Sequence, residues 1–326
     1  MIPHSRPFVG DEEAEAAARV VRSGMLAQGP EVEAFEQEFA AYLGRRHAVA
    51  VSSGTAALHL ALHALELPEH AEVAYPAYTC AALPCAIAMA GLTARPVDVD
   101  ADGNLDVDAV PADSNAVLLP HLFGKSAVIP EGSAPVIEDL AQSIGNGTGR
   151  AGIMAIASFY ATKMLTTGEG GMVFTDDDAL AEAVRDLRDY DKRGDGRMRF
   201  NYKMTDIQAA IGRVQLGRLD GFITRRREIA ARYTDAFWGL PLALPSGEGH
   251  AYYRYAVRTQ DADAFIASLY AGGVDAKGPV HPPGPLAAEL TGAASAFAEF
   301  VSIPLYPAMT DEEVQEVIAA VRDALG

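Results

Sequence analysis

The chain has 326 residues, of which 49% are hydrophobic and 21% are charged, a balance typical of a globular protein with a large core. Its formal net charge of −18 argues against general binding to nucleic acids or anionic membranes. No apolar run reaches the ~18 residues that suggest a membrane span, and the N-terminal residues lack the apolar core of a signal peptide, so we expect a cytoplasmic location.

Seven short apolar segments, separated by helical patterns and turn residues, predict β-strands up to Phe174. They are Ala48–Val51, Glu72–Tyr75, Ala94–Val99, Ala116–Leu119, Pro135–Glu138, Ala155–Tyr160 and Gly171–Phe174. Strands that alternate with helices favour a mostly parallel sheet with helices on both faces. The predicted fold class is therefore α/β.

A long helix is predicted to begin at Thr205, because Thr205 and Gln208 form a capping-box pattern. Loop-forming residues between 240 and 249 then indicate a domain boundary. We predict a large domain, 1–240, and a small C-terminal α+β domain, 241–326. The small domain is predicted to contain a strand over Tyr252–Val257, a helix near Asp261–Tyr270 and a final helix opened by Thr310.

The segment from His47 onward predicts a strand, a tight turn and a helix that starts at Ser53, Gly54 and Thr55. Backbone N–H groups at a helix start are unpaired and, with the helix dipole, attract an anion such as phosphate. A simple Ser/Thr helix cap without a ligand explains the same residues.

Asp139 comes at the end of an apolar strand, on the same sheet edge as Ser53. A carboxylate there could pair with a protonated ring nitrogen of a ligand. Gln142, one turn later, would reach the same ligand, and Glu138 would point to the opposite face. The competing interpretation is an aspartate that only caps a helix.

Lys163 follows the apolar segment Ile153–Tyr160 and precedes a Gly-rich turn. This position places its amine at a strand end, where open α/β sheets bind ligands. Such a lysine could form a Schiff base, although most lysines are solvated surface charges.

Asn201 and Lys203 stand just before the helix at Thr205, where they could contact a phosphate or a neighbouring subunit. Between residues 185 and 227 the chain has twelve Lys or Arg against six Asp. This excess indicates either a solvated face with ordinary ion pairs or an electropositive wall for a phosphorylated ligand.

In their order and spacing these motifs resemble the DegT/DnrJ/StrS sugar aminotransferases, pyridoxal-phosphate enzymes of the aspartate aminotransferase fold. The matching segments are 23–30, 52–58, 138–142, 158–171, 201–210 and 304–313. The resemblance covers nearly the whole chain. It implies a large cofactor-binding domain and an enzyme that transfers an amino group from glutamate or glutamine to a keto sugar.

The resemblance also implies roles for individual residues. Lys163 would form the Schiff base, Asp139 would pair with the pyridinium nitrogen, and Gln142 would contact the ring hydroxyl. The cofactor phosphate would be bound at the helix start and at a strand end, through Gly54, Thr55 and Ser158, with Ser53 beside them. Asn201 would reach this phosphate from the partner subunit, which implies a homodimer with shared active sites.

The chain departs from the family pattern near the cofactor and in the small domain. Cys80 stands where an aromatic residue usually stacks on the pyridine ring, so either Tyr78 or another aromatic takes that role or stacking is weakened. Lys203 stands where arginine is commoner, which puts bidentate anion contacts in doubt. Few residues separate His281 from Phe300, and His281 is interpreted either as lining the acceptor site or as a loop residue.

Three other patterns are interpreted without a catalytic role. The glycines of Gly147–Gly152 match a dinucleotide-binding pattern but precede a strand, so that hypothesis is rejected. His59 and His63 share a helix face, yet without a third ligand we expect surface histidines and no metal. Cys80 and Cys85 fit no common zinc spacing and are expected to be reduced and packed.

Three functions therefore remain open. The first is an aminotransferase for a keto sugar, with a nucleotide-linked sugar as the expected acceptor. The second is an aminotransferase for a keto-cyclitol. The third is a pyridoxal-phosphate-binding regulatory or sensory protein with little turnover. No nucleic-acid or membrane partner is expected from the acidic balance.

Overall fold

The computed structural model describes residues 1–191, 194–282 and 284–326. Lys192 and Arg193, two cations of the basic stretch, lie outside the described residues, and so does Pro283. Among the helices of the described ranges, none is both long enough and apolar enough to cross a lipid bilayer.

A seven-stranded sheet forms the centre of the larger part of the molecule. Its strands are β1 His47–Val51, β2 Glu72–Pro76, β3 Thr93–Val97, β4 Ala116–Pro120, β5 Val136–Asp139, β6 Met154–Ser158 and β7 Gly171–Thr175. They lie in the order β1-β7-β6-β5-β4-β2-β3. Strand β7 is antiparallel to both of its neighbours, and the other pairs are parallel. The seven predicted strands and the mostly parallel α/β sheet are confirmed.

Helices cover both faces of this sheet. They are α2 Pro30–Leu43, α3 Gly54–Ala64, α4 Ala82–Met89, α5 Asp178–Arg188 and α6 Asp206–Phe237, while α1 Asp11–Ser23 packs on α6. On one face α2 and α6 pack against side chains such as Ala50 and Phe174. On the other face α3, α4 and α5 pack against Val51 and Val173. Neighbouring residues of one strand thus serve opposite faces, as the two-residue period of a strand requires.

The smaller part contains β8 Tyr255–Arg258, antiparallel to β9 Phe300–Ile303, with helices α7 Ala262–Ala271, α8 Thr291–Glu299 and α9 Asp311–Leu325. The strand predicted over Tyr252–Val257 begins too early in the sequence. Tyr252 has a φ of 49°, in the left-handed region, so extended backbone starts only at Tyr255. The helix predicted near Asp261 is confirmed as α7, which Asp261 caps.

Both predicted capping boxes are formed. The hydroxyl of Thr205 accepts a hydrogen bond from the N–H of Gln208, whose side chain accepts one from the N–H of Thr205. Thr310 and Glu313 are joined in the same way at the start of α9. These reciprocal bonds satisfy N–H groups that a helix start leaves unpaired, and they fix where both helices begin.

Helix α6 connects the two cores. Its first half packs under the large sheet, whereas Ile229, Tyr233 and Phe237 of its second half belong to the core around β8 and β9. Ile2 joins the same smaller core and pairs with Val274. The boundary near residue 240 follows directly after α6 and stays a prediction.

Candidate active site

The ends of three strands bring predicted site segments to one edge of the sheet. Strands β1, β5 and β6 run parallel, so Ser53 after β1, Asp139 in β5 and Ser158 in β6 share their carboxyl side. A Cβ added to Gly54 would lie 2.7 Å from the Cβ of Ser158, so only glycine permits this approach of α3 to β6. We call this edge, with Thr55, the cofactor edge.

The hydroxyl of Ser53 caps α3. Its Oγ accepts a hydrogen bond of 3.0 Å from the N–H of Ala56, as the simple-cap interpretation requires. The backbone N–H groups of Gly54 and Thr55 have no acceptor inside the helix and stay available to an anion. The cap is therefore compatible with the predicted anion site, and the N–H groups beside Ser158 fit the phosphate of the implied cofactor.

The Gly-rich turn holds the loop that carries Lys163. A Cβ on Gly171 would collide with the carbonyl oxygen of Ser53, so this glycine lets β7 pass against the start of α3. The N–H of Phe159 donates to the carbonyl of Gly170 over 2.9 Å, which closes the loop between β6 and β7. Lys163 is half-buried within this loop.

Asp139 is 7% exposed, and its Oδ1 accepts a hydrogen bond of 2.8 Å from the N–H of Ala141. Burial raises the pKa of Asp139, against the opposing effects of that hydrogen bond and of the positive charge of Lys163. Within the described ranges, Oδ2 accepts no hydrogen bond. A cationic donor from a ligand would satisfy this oxygen and stabilise the carboxylate, so Asp139 fits a protonated pyridine nitrogen.

Glu138 points away from Asp139, to the opposite side of the strand, as predicted. Its carboxylate accepts hydrogen bonds from His121 Nε2 at 2.9 Å and from backbone N–H groups of Gly149, Ala151 and Gly152 at 2.7–2.8 Å. Burial opposes the charge of Glu138, but the bonds to His121 and to the glycine backbone lower its pKa to about 2. The dinucleotide-like glycine pattern is thus a loop folded around a buried carboxylate.

Gln142 follows β5, and Tyr78 lies in the loop after β2; both were predicted to contact the cofactor. Gln142 Oε1 accepts a hydrogen bond of 2.8 Å from the N–H of Phe123, which orients the side chain and leaves its amide N–H₂ for a ligand. Tyr78 is fully buried, with its ring centroid 4.7 Å from that of Phe297 and 5.6 Å from that of Phe300. A ring without exposed surface has no face free for a cofactor, so the structure does not support Tyr78 as the stacking residue.

The expectation of packed cysteines is wrong. Cys80 and Cys85 are both exposed. Cys80 lies in the loop between β2 and α4, beside the buried Tyr78. In α4 the buried face is formed by Leu83, Ala86 and Ile87, and this helical spacing leaves Cys85 on the outer face.

Tyr253 is a site residue that the sequence did not reveal. The Nζ of Lys163 lies 5.3 Å from the centroid of its ring, and the guanidinium carbon of Arg254 lies 4.5 Å from the same centroid. Burial alone would raise the pKa of Tyr253, but the charges of Lys163 and Arg254 and a hydrogen bond with Thr162 lower it to about 8. In the sequence Tyr253 falls within a predicted strand, where an aromatic residue is typical of the core and gives no sign of a functional role.

Asn201 and Lys203 lie in a segment that pairs with the end of β1. The N–H of Ser52 donates to the carbonyl of Tyr202 over 2.8 Å, and Lys203 forms a bridge with Val51. Asn201 is exposed, whereas Lys203 binds Asp189 over 2.5 Å, a contact that raises the pKa of Lys203. Asn201 is thus free to contact a second molecule.

Most of the described cations of the basic stretch form ordinary ion pairs, as one of the two interpretations predicts, whereas Arg226 has no acidic partner among the described residues. The pairs are Arg188 with Glu36, Arg199 with Asp186 and Asp195, Lys203 with Asp189, Arg213 with Glu31 and Glu38, Arg218 with Glu13, and Arg225 with Asp311. Many of these acids stand outside residues 185–227. A local count of charge could not include them.

The expectation of surface histidines at His59 and His63 is wrong for His59, which is 2% exposed. The two imidazoles pack against the ring of Phe200, and burial lowers the pKa of both. They serve as aromatic packing for the segment that carries Asn201. His281 is exposed in the loop before α8.

Comparison with known proteins gives the same assignment over the whole chain. The profile of the DegT/DnrJ/EryC1/StrS aminotransferase family matches residues 7–322. The spore coat polysaccharide biosynthesis protein SpsC of Bacillus subtilis (strain 168) is 37% identical, with 99% of this chain and 96% of SpsC covered. The alignment spans 377 positions, more than the length of this chain, so SpsC carries additional residues.

Two solved structures share the fold. The aminotransferase TlmJ from Streptoalloteichus hindustanus is 32% identical, with a TM-score of 0.89, and the match covers 100% of this chain and 99% of TlmJ. Helicobacter pylori PseC, an aminotransferase involved in the biosynthesis of pseudoaminic acid, is 21% identical, with a TM-score of 0.90 and 99% of each chain covered. At that identity the likeness to PseC is one of fold alone.

Proposed function

Since this chain belongs to the DegT/DnrJ/EryC1/StrS family of pyridoxal-phosphate-dependent sugar aminotransferases, we propose that it moves an amino group from glutamate or glutamine to a nucleotide-linked keto sugar. One observation supports this proposal above the others. The loop of Lys163, the buried carboxylate of Asp139 and the free N–H groups of α3 converge on one edge of the sheet. They offer an amine, an acid for a ring nitrogen and an anion site.

Each end of the cofactor would have its own binding residues. Gly54, Thr55 and Ser158 would bind the phosphate, and the capping bond of Ser53 would hold the helix start in place. Asp139 would hold a proton on the ring nitrogen, and the amide N–H₂ of Gln142 would contact the ring hydroxyl. A bound pyridoxal phosphate supplies an aldehyde that bonds to amines and a ring that accepts electrons.

Lys163 would perform the proton transfer. With an amino donor in the site, its Nζ would take the proton from the α-carbon of the donor and hold it for return. The closed loop between β6 and β7 limits the positions that the amine can reach. A restrained amine stays close to the reacting carbon, which raises its effective concentration there. The half-reaction with the keto sugar would use the same amine in reverse.

The test of Lys163 is chemical. Purified protein is reconstituted with pyridoxal phosphate, reduced with borohydride and mapped by mass spectrometry. The label is expected on Lys163 and absent in Lys163→Ala, while Lys277→Ala, which removes an exposed lysine paired with Asp275 at 3.1 Å, keeps it. A label on another residue would overturn the assignment.

The proposal for the acceptor rests on the similarity of this chain to SpsC. SpsC is a spore coat polysaccharide biosynthesis protein, and a nucleotide-linked keto sugar suits that setting. The shorter chain, compared with SpsC, favours a keto-cyclitol as the second candidate. Incubation of the aminated enzyme with either acceptor class separates the two, and failure with both, despite turnover of glutamate, would reject both.

We further propose a homodimer with two shared sites, working in the cytoplasm, in which Asn201 of the partner subunit reaches the phosphate. The exposure of Asn201 in the ordered segment beside β1 supports this role. Mixing Asn201→Ala subunits with Lys163→Ala subunits tests it. One intact site and one doubly altered site are expected in each mixed dimer, so activity should return on mixing. A monomer in solution would contradict the proposal.

A further inference from the structure

A small cavity lies beside Lys163 at the junction of the two cores. Its wall includes residues 5–8 of the N-terminal segment, Lys163, Arg226 of α6 and Arg254 just before β8. The described lining carries four cations, Arg6 among them, and no carboxylate. In a chain with a net charge of −18 this is an unusual concentration of positive charge.

Two of these cations, Arg226 and Arg254, form no ion pair with an acid in the described part of the chain. Arg6 binds Glu313 over 3.2 Å and is excluded from the argument. Arg226 is 4% exposed, and its Nη1 donates only to the carbonyls of Tyr252, Tyr253 and Leu305. Its Nε is buried without a partner in the described part of the chain.

Arg254 is held in place by Tyr253 without being neutralised. Its guanidinium lies over the Tyr253 ring, and Nη2 donates to the Tyr253 hydroxyl over 3.2 Å. Within the described residues no carboxylate pairs with it. The same tyrosine ring faces the Nζ of Lys163, so one aromatic side chain fixes the separation between the amine and the guanidinium.

The cavity has a volume of about 20 Å³. A single water needs roughly 10–15 Å³, so the space takes one small group and not a diphosphate. Uncompensated buried cations favour an anion, and a guanidinium fork matches the two oxygens of a carboxylate.

Resting on the proposed aminotransferase function, we propose that this cavity receives a carboxylate of the amino-acid donor and that Arg254 is the residue that binds it. The buried charge of Arg226 adds to the positive potential of the cavity. The ring and hydroxyl of Tyr253 position the guanidinium of Arg254. The amino group of the donor would then lie toward Lys163, whose Nζ is 5.3 Å from the centroid of the Tyr253 ring. Donor specificity is thereby separated from cofactor binding.

The test compares the two half-reactions of the holoenzyme in Arg254→Leu. The KM for glutamate and glutamine is expected to rise about 10- to 100-fold, the range for loss of a hydrogen bond to a charged group. The KM for the keto acceptor and the yield of the borohydride-trapped lysine adduct should stay unchanged. Arg254→Lys should recover part of the loss, and Arg322→Leu, which alters an exposed arginine on α9, should behave as wild type.

A binding measurement gives a second readout. Glutarate, a dicarboxylate that cannot react, should bind the wild-type holoenzyme and bind Arg254→Leu at least about tenfold more weakly. An unchanged donor KM, or a raised KM for the acceptor alone, would overturn the assignment of Arg254. If the wild-type enzyme reacts with no amino acid at all, the proposed aminotransferase function fails instead, so the two failures are distinct.

Discussion

The cofactor edge and the domain junction differ in the proposed ligand and in the structural elements that form them. The cofactor edge is built from strand ends of one sheet, and a glycine at position 54 sets its closest approach. The domain junction, defined as Lys163, Arg226, Tyr253 and Arg254, combines a loop, the middle of α6 and the entry to β8. The edge offers the backbone N–H groups at the start of α3 together with the side chains of Asp139 and Ser158, whereas the junction offers side chains alone.

Replacement of Lys163 should have the largest effect, since its amine belongs to the domain junction and its loop follows β6, which ends at the cofactor edge. In Lys163→Ala the rate of the half-reaction with glutamate is expected to fall about 10⁴-fold, because a positioned proton-transfer group is lost. Single-turnover absorbance of the reconstituted enzyme measures this. A rate within tenfold of wild type would contradict the role of Lys163.

The substitution Asp139→Asn tests whether the cofactor edge needs a carboxylate at this position. The amide is nearly the same size but cannot stabilise a ring proton, so the half-reaction should slow about 100-fold or more while the cofactor stays bound. Stopped-flow kinetics and equilibrium dialysis of the cofactor separate the two effects. Loss of cofactor without any change in rate per bound cofactor would show that Asp139 serves binding only.

Gly54→Ala tests whether the edge depends on backbone approach. The new Cβ would lie 2.7 Å from the Cβ of Ser158, so the free energy of unfolding should fall by about 1–3 kcal/mol and phosphate affinity should weaken. Urea unfolding and cofactor titration measure both. Gly217→Ala is the matched control, because nothing lies within 4 Å of a Cβ there and alanine should stabilise α6 by up to ~1 kcal/mol.

Tyr253→Phe gives the smallest expected effect and probes the junction. The pKa of Tyr253 is lowered to about 8 in the folded protein, so between pH ~8 and ~10 the unfolded state binds more protons than the folded state. The contribution of this phenol to stability should therefore grow as pH rises through that window and vanish below it. Urea unfolding of both proteins across the window checks the sign, and a constant difference would argue against a lowered pKa.

Local patterns were sufficient for the secondary structure and for half of the site. Strand periodicity and the boxes at Thr205 and Thr310 each depend on neighbours within about ten residues. The same holds for the placement of Asp139 and Lys163 at strand ends. The strand predicted to begin at Tyr252 was placed too early, because Tyr252 adopts a left-handed backbone conformation that strand propensity does not reveal.

The sequence by itself determined the fold class and the strands, and it selected Lys163 and Asp139 as the amine and the acid proposed to serve the cofactor. Only the tertiary structure decided that distant acids pair with Arg188 and Arg213 of the basic stretch, that His59 and Tyr78 are buried, and that Lys163 and Arg254 both lie against the ring of Tyr253. The physical reason is that burial and charge compensation depend on partners far away in the chain. No window of sequence around either partner contains the other.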